Sequence, residues 1–241
     1  MDGVALVIGS MAPDMAYVLN GSRVSVWAHG FPGVALFCVP VTLAVSWLVA
    51  RVVSPVFWDH LPDARPFRLH DYRGMSVHRF AWGWAAFSAL IGALTHVMLD
   101  HFTHDWGWFA RHVDWYHSVV VNDFLGRQWT VFRLMQYMGH VVGSVLCLWM
   151  LGRYGRQRWM AAAAARVERY PVTLYTRAAV TGAMFVGAAV GCAWVLRDRS
   201  GSATDVVRVA ALCFGFLVVV CAVLRQTRIR RAASTRVPSS A

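Results

Sequence analysis

The chain has 241 residues, of which 58% are hydrophobic and 15% charged, and its formal net charge is +11. Soluble globular domains carry about a quarter charged residues, so this composition excludes one. It also does not indicate a nucleic-acid binder: the basic charge is all Arg, with no Lys, and lies mostly in stretches between long apolar runs.

The first apolar stretch, Val4–Tyr17, is too short to cross a bilayer and is interrupted by Gly9, Pro13 and Asp14, which predicts a re-entrant or interfacial segment. No basic n-region precedes it, so removal as a signal peptide is not expected. Five later runs approach the roughly 20 apolar residues that a spanning helix needs. They are Val34–Val53, Phe80–Leu99, Phe132–Leu151, Ala178–Leu196 and Val206–Leu224. The Pro-rich, charged stretch Ser54–Arg79 between the first two is expected to be a solvated loop holding His60, His70 and His78. The stretch Asp100–Val131 between the second and third is aromatic and His-rich. There is no internal repeat and no soluble domain. The predicted fold class is all-α, a polytopic membrane bundle of about five transmembrane helices plus the short N-terminal segment.

The distribution of Arg orients the spans. One side collects Arg51, Arg65, Arg68, Arg73, Arg79, Arg153, Arg156, Arg158, Arg166, Arg169, Arg177, Arg225, Arg228, Arg230, Arg231 and Arg236. The other has Arg23, Arg111, Arg127, Arg197 and Arg199. The richer side is expected to be cytoplasmic, with the N-terminus and the Asp100–Val131 loop outside and the C-terminus inside. Trp106, Trp108, Trp115, Tyr116 and Trp129 then read as interfacial anchors. Cys38, Cys147, Cys192, Cys213 and Cys221 all fall in apolar runs without a C-x-x-C spacing, and are expected to be buried packing residues.

Three polar features reach the outer face: Gly9-Ser10-Met11-Ala12-Pro13-Asp14, His29-Gly30, and the run from Gly92 through His96, Asp100 and His104 to Gly107. His96 and Asp100 are four apart and share a helix face, so imidazole and carboxylate could reach one zinc or other divalent ion. Asp14, His29, His96 and Asp100 are therefore the expected ligands. Ionisable groups at membrane depth are costly and mark functional sites by default. His140, about two turns into the third span, is expected near His96. His104 or His140 could complete the ligand shell or serve as a catalytic acid. Otherwise His101, His104, His112 and His117 are expected to be interfacial surface residues rather than ligands.

At these residues the sequence resembles a bacterial membrane-protein family designated domain-of-unknown-function family 4184. The likeness rests on the Gly9–Asp14 element, on His29-Gly30, and on the run Gly92 to His96 through Asp100, Thr103 and Gly107. It covers residues 1–150 as a family-like core, leaving 151–241 as two further spans and a basic tail. The pattern is also similar to membrane-bound metal-dependent hydrolases, and more remotely to zinc-dependent phospholipase C and single-strand-specific zinc nucleases. Those groups imply a Pro-Asp carboxylate, a His before a helix and a helical His-x-x-x-Asp, at Asp14, His29, His96 and Asp100. A Thr/Ser-His element preceding the family's Gly-Ser-Met-x-Pro-Asp run is absent after Met1, so either translation starts upstream or one ligand is missing.

The resemblance implies a multi-pass protein of the bacterial inner membrane. The expected function is metal-dependent hydrolysis at the outer face, with a phosphoester of a lipid head group or another envelope molecule as substrate. The alternatives are a non-catalytic membrane scaffold, and a haem protein using His96 and His140 as paired ligands. A scaffold needs no more than interhelical hydrogen bonds, which contribute roughly 0.6 kcal/mol each in membranes.

Overall fold

The computed structural model describes residues 1–19, 26–77, 80–124, 127–198 and 202–234. Arg23, His78, Arg79, Arg199 and Arg236, each placed on one side of the membrane from sequence, lie outside the described residues. The helices are α1 (Gly3–Met15), α2 (Phe31–His60), α3 (Trp82–Thr103), α4 (Trp108–His112), α5 (Val131–Gln157), α6 (Leu174–Asp198) and α7 (Ser202–Ser234). Of these, α2, α3, α5, α6 and α7 are long and apolar enough to cross a membrane. The chain is a multi-pass α-helical membrane protein. The loop between α3 and α5 adds a short antiparallel hairpin that the sequence did not suggest, β1 (Val119–Phe124) with β2 (Arg127–Thr130).

At 13 residues, α1 is about 20 Å long and falls short of a ~30 Å hydrocarbon core. It is capped by Asp2, whose carboxylate accepts the Ala5 N–H at 3.0 Å. The Asp2 backbone N–H donates to Ser88 Oγ at 2.8 Å. From there α1 runs parallel to α3, and the seam is built from small residues: Ala5, Gly9 and Ala12 against Ala85, Ser88, Ala89, Gly92 and Ala93, all buried. Two contacts require glycine. A Cβ on Gly9 would lie 2.6 Å from the Ala89 carbonyl oxygen, and one on Gly92 would lie 2.3 Å from that of Leu6. Small residues let membrane helices approach backbone to backbone, and that approach sets the spacing of the site above.

The long helix α2 contains wide π-type turns at Val34–Cys38 and Val49–Val53. Each lies just before a proline, Pro40 or Pro55. Proline lacks an N–H and clashes with the carbonyl four residues back, and a wider turn relieves both defects without ending the helix.

Helices α6 and α7 pair along their length, with Gly187 against Cys213 and Gly191 against Val209. A core of Val53, Val56, Tyr170, Val180, Leu217, Cys221 and Leu224 joins them to α2. Among the described residues the third span, α5, meets the rest of the fold near its ends, and every residue from 137 to 150 is exposed. At its inner end, Gly155 meets the carbonyls of Pro66 and Phe67. Arg158 then pairs with Asp71 at 2.6 Å.

The 54–79 stretch is not the solvated loop expected from its composition. Ser54–His60 continues α2, and Leu69–Val77 is 3-10 helix. Asp59, His60 and Arg73 are buried. Asp59 sits 3.5 Å from Arg73 and accepts the Tyr170 N–H at 2.7 Å, and His60 Nδ1 bonds the Val56 carbonyl at 2.8 Å. Its buried polar groups tie α2 to the chain leading into α6. The cysteines also divide. Cys38 and Cys221 are buried and Cys213 is half-buried, but Cys147 and Cys192 lie on exposed faces of apolar helices.

Candidate metal centre

Four side chains from three segments meet at one end of the bundle, where α1 and α3 finish and α2 begins. Asp14 comes from the last turn of α1, just after Pro13. His29 comes from the residues entering α2. Gly30 and Gly33 shape that entrance, because a Cβ on Gly33 would lie 2.0 Å from the Trp27 carbonyl oxygen and one on Gly30 2.6 Å from the Trp27 ring. His96 and Asp100 come from one face of α3. A cluster of Ala12, Ala16, Ala28, Val34, Cys38 and Ala93 holds these segments together.

Each imidazole faces both carboxylates. His29 Nε2 is 3.6 Å from Asp14 Oδ1 and 3.3 Å from Asp100 Oδ2. His96 Nε2 is 3.5 Å from Asp14 Oδ1 and 3.2 Å from Asp100 Oδ2. The ligand atoms of Asp14, His29 and His96 all lie within 4.8 Å of one another. A tetrahedral ion with ligands at about 2.0–2.1 Å sets neighbouring donor atoms about 3.3–3.4 Å apart, and the four nitrogen–oxygen distances, 3.2–3.6 Å, bracket that value. Both Nε2 atoms are buried and lack a hydrogen-bond partner. Buried polar atoms are nearly always bonded, so two orphaned nitrogens facing two carboxylates fit a cation between them.

Surrounding groups orient these side chains. His96 Nδ1 is 2.7 Å from the Ser10 carbonyl. That oxygen only accepts, so Nδ1 carries the proton and the lone pair of the neutral ring is on Nε2, facing the carboxylates. This bond exists because Gly9 and Gly92 bring α1 close to α3. Asp100 divides its oxygens: Oδ2 faces the imidazoles, and Oδ1 lies 3.4 Å from His104 Nδ1. His104 Nδ1 is also 3.1 Å from Thr103 Oγ1, and its Nε2 is 3.0 Å from the Gln136 amide nitrogen on α5. The Asp100 carboxylate, followed by that of Asp14, outweighs burial and pushes His29 up to about 9.

The wall is aromatic. Trp106 meets the rings of His29, His101 and His104 at 5.5–5.8 Å, and Tyr17 meets His29 at 5.8 Å. Gly107 makes this possible, since a Cβ there would lie 2.4 Å from the His101 carbonyl oxygen. Trp106 is thus part of the site rather than only the anchor its loop suggested. Of the remaining aromatics, Trp108 and Trp115 are exposed and Tyr116 is buried. The cluster opens toward Asp14, whose side chain is 43% exposed against 10%, 17% and 13% for His29, His96 and Asp100.

The four expected ligands therefore come together, with His104 behind Asp100. His140 does not join them: it lies on the exposed stretch of α5, and α5 reaches the cluster through Gln136, about one turn nearer its outer end. The His96–His140 pairing is accordingly not formed. The Ser10 carbonyl, Trp106 and Gln136 were missed by sequence reasoning. A lone amide in the first turns of an apolar span was the one available sign of Gln136.

No curated protein and no solved structure matches the chain. The more remote likeness to metal-dependent hydrolases therefore has no matching relative behind it. A family model described as "Domain of unknown function (DUF4184)" matches residues 1–226 and so takes in the last two spans as well as the cluster. The chain belongs to the DUF4184 family.

Proposed function

We propose that the protein is a membrane-bound metal-dependent hydrolase, with Asp14, His29, His96 and Asp100 holding zinc or another divalent ion at the extracytoplasmic face of a bacterial inner membrane. One observation carries this reading: the buried, unpartnered Nε2 atoms of His29 and His96 each face two carboxylate oxygens at 3.2–3.6 Å. The Arg asymmetry supports the orientation. An ion bound there supplies Lewis acidity that activates water near neutral pH. Asp14, on the exposed side, is where water and substrate would arrive. Lining that approach, Met11, Trp27 and Phe31 are exposed, which suits a phosphoester whose apolar part stays in the bilayer.

A second reading is favoured by the raised pKa of His29. An imidazolium there pairs with both carboxylates without any ion, and the cluster then serves as an interhelical clasp in a non-catalytic membrane protein. Elemental analysis of detergent-purified protein separates the two. Zinc or manganese near one equivalent, lost in His96→Ala and Asp100→Ala, supports the centre and justifies a screen of phosphoesters. Metal-free wild type, even after reconstitution, leaves the clasp.

A further inference from the structure

We infer that Gln136, on the third span, is a positioning residue of the metal centre: it holds His104 in the tautomer that anchors one oxygen of Asp100 and leaves the other for the ion. This rests on the metal-centre reading above.

The hydrogen-bond chain has one consistent polarity for a neutral His104. Thr103 Oγ1 donates to the Leu99 carbonyl at 3.1 Å, so toward His104 Nδ1, also at 3.1 Å, it accepts. Asp100 Oδ1, 3.4 Å from the same nitrogen, only accepts. Nδ1 therefore carries the proton, and Nε2 is an acceptor that needs a donor. The Gln136 amide nitrogen supplies it at 3.0 Å. Protons thus point from Gln136 to His104, and from His104 Nδ1 to Thr103 Oγ1, with Asp100 Oδ1 facing the same N–H at 3.4 Å. Such outer groups fix the orientation and donor strength of the residues that hold a metal.

The location of Gln136 sharpens the assignment. Beyond it, the next 14 residues of α5 are exposed. Near its outer end α5 is steadied by ring contacts, Tyr137 with Trp129 at 5.0 Å and Phe132 with His117 at 5.6 Å. These contacts tie the helix to its own loop. The Gln136 bond instead crosses to His104, the residue that caps α3, whose Nδ1 lies 3.4 Å from Asp100 Oδ1. A tie that merely held α5 in place would serve equally well with a carboxylate at 136, because Glu also bonds an imidazole. A positioning role would not survive that change. Glu accepts rather than donates, so His104 must either give up its Nδ1 proton or become a cation, and both alter Asp100.

The test uses the full-length protein in detergent, loaded with Co(II), with binding followed by its visible absorption. Gln136→Leu and Gln136→Glu are each expected to bind about 10- to 100-fold more weakly than wild type, with a changed absorption spectrum. Met138→Ala, on the exposed stretch of the same helix, should match wild type. The Glu variant keeps the test available if the Leu variant fails to fold. Wild-type affinity and spectrum in both variants would overturn the role of Gln136 while leaving the metal centre intact. A weaker Leu variant beside an unaltered Glu variant would reduce Gln136 to a tie, again overturning the inference. A wild-type protein that binds no Co(II) would remove the metal centre, and this inference with it.

Discussion

Gly92→Ala should disable the centre without touching any ligand. The added methyl would stand 2.3 Å from the Leu6 carbonyl oxygen, 2.7 Å from the Ser10 nitrogen and 3.0 Å from the Gly9 carbonyl carbon. All three are backbone atoms of α1, so no side chain can swing aside. Moving from 2.3 Å to the 3.4 Å of ordinary contact displaces α1 by about 1.1 Å. The Ser10–His96 bond, now 2.7 Å, would then exceed hydrogen-bonding range, which ends near 3.5 Å. Asp14 would leave a cage whose distances tolerate only about 0.2 Å. Overpacking of this kind costs about 1–3 kcal/mol, and losing an orienting bond weakens metal affinity about 10- to 100-fold. Competition for zinc against a chromophoric chelator would measure the loss. Gly83→Ala is the control, because that position of α3 has open space and alanine favours a helix over glycine by roughly 0.5–1 kcal/mol. A folded Gly92→Ala protein that binds zinc within about twofold of wild type, against the tenfold or more expected for a lost outer-shell bond, would refute the claim that the seam sets the site.

Three further outcomes are expected. Metal-free protein should lose the His29 contribution to stability as pH rises. The folded pKa of about 9 lies above the 6.5 of an ordinary imidazole, so the contribution is complete below the lower value and gone above the higher. Zinc affinity should run the opposite way, rising about tenfold per pH unit toward 9 for one displaced proton, as calorimetry between pH 6 and 9 would show. Asp59→Ala should destabilise the fold by about 3–5 kcal/mol, because it strands the buried Arg73, yet leave metal content unchanged; thermal unfolding with elemental analysis checks both. Gly139→Ala and Gly143→Ala, which meet nothing within 4 Å inside α5, should each stabilise the fold by roughly 0.5–1 kcal/mol, read by thermal unfolding.

The spans were legible because hydrophobic run length is a local property, and each of the five runs lies within or closely overlaps a helix of the fold. His96 and Asp100 were legible for the same reason, since i, i+4 spacing on one helix needs no tertiary knowledge. Asp14 and His29 joined them through the positive-inside count, which assigned both to the outer face. What could not be read was set by contacts between distant segments. Composition marked Ser54–Arg79 as loop, but the Asp59–Arg73 pair and the Tyr170 N–H bury its polar groups across more than a hundred residues of chain. His140 lies on the same face of α5 as Gln136, but one turn further along, where the helix no longer touches its neighbours, and Gln136 is the residue that reaches the cluster. The hairpin of β1 and β2 was hidden because its strands are short and its loop was read for aromatics and histidines.

The seam between α1 and α3 has a further consequence in its entropy. Glycine and alanine have no rotamers to lose, so joining these surfaces orders almost no side-chain freedom. The spacing that α1 imposes on Asp14 and on the carbonyl under His96 is then a property of two backbones, with no population of alternative side-chain packings to average over. The centre is held to one gauge before any ligand arrives, and little of the binding free energy of an ion is spent in ordering it.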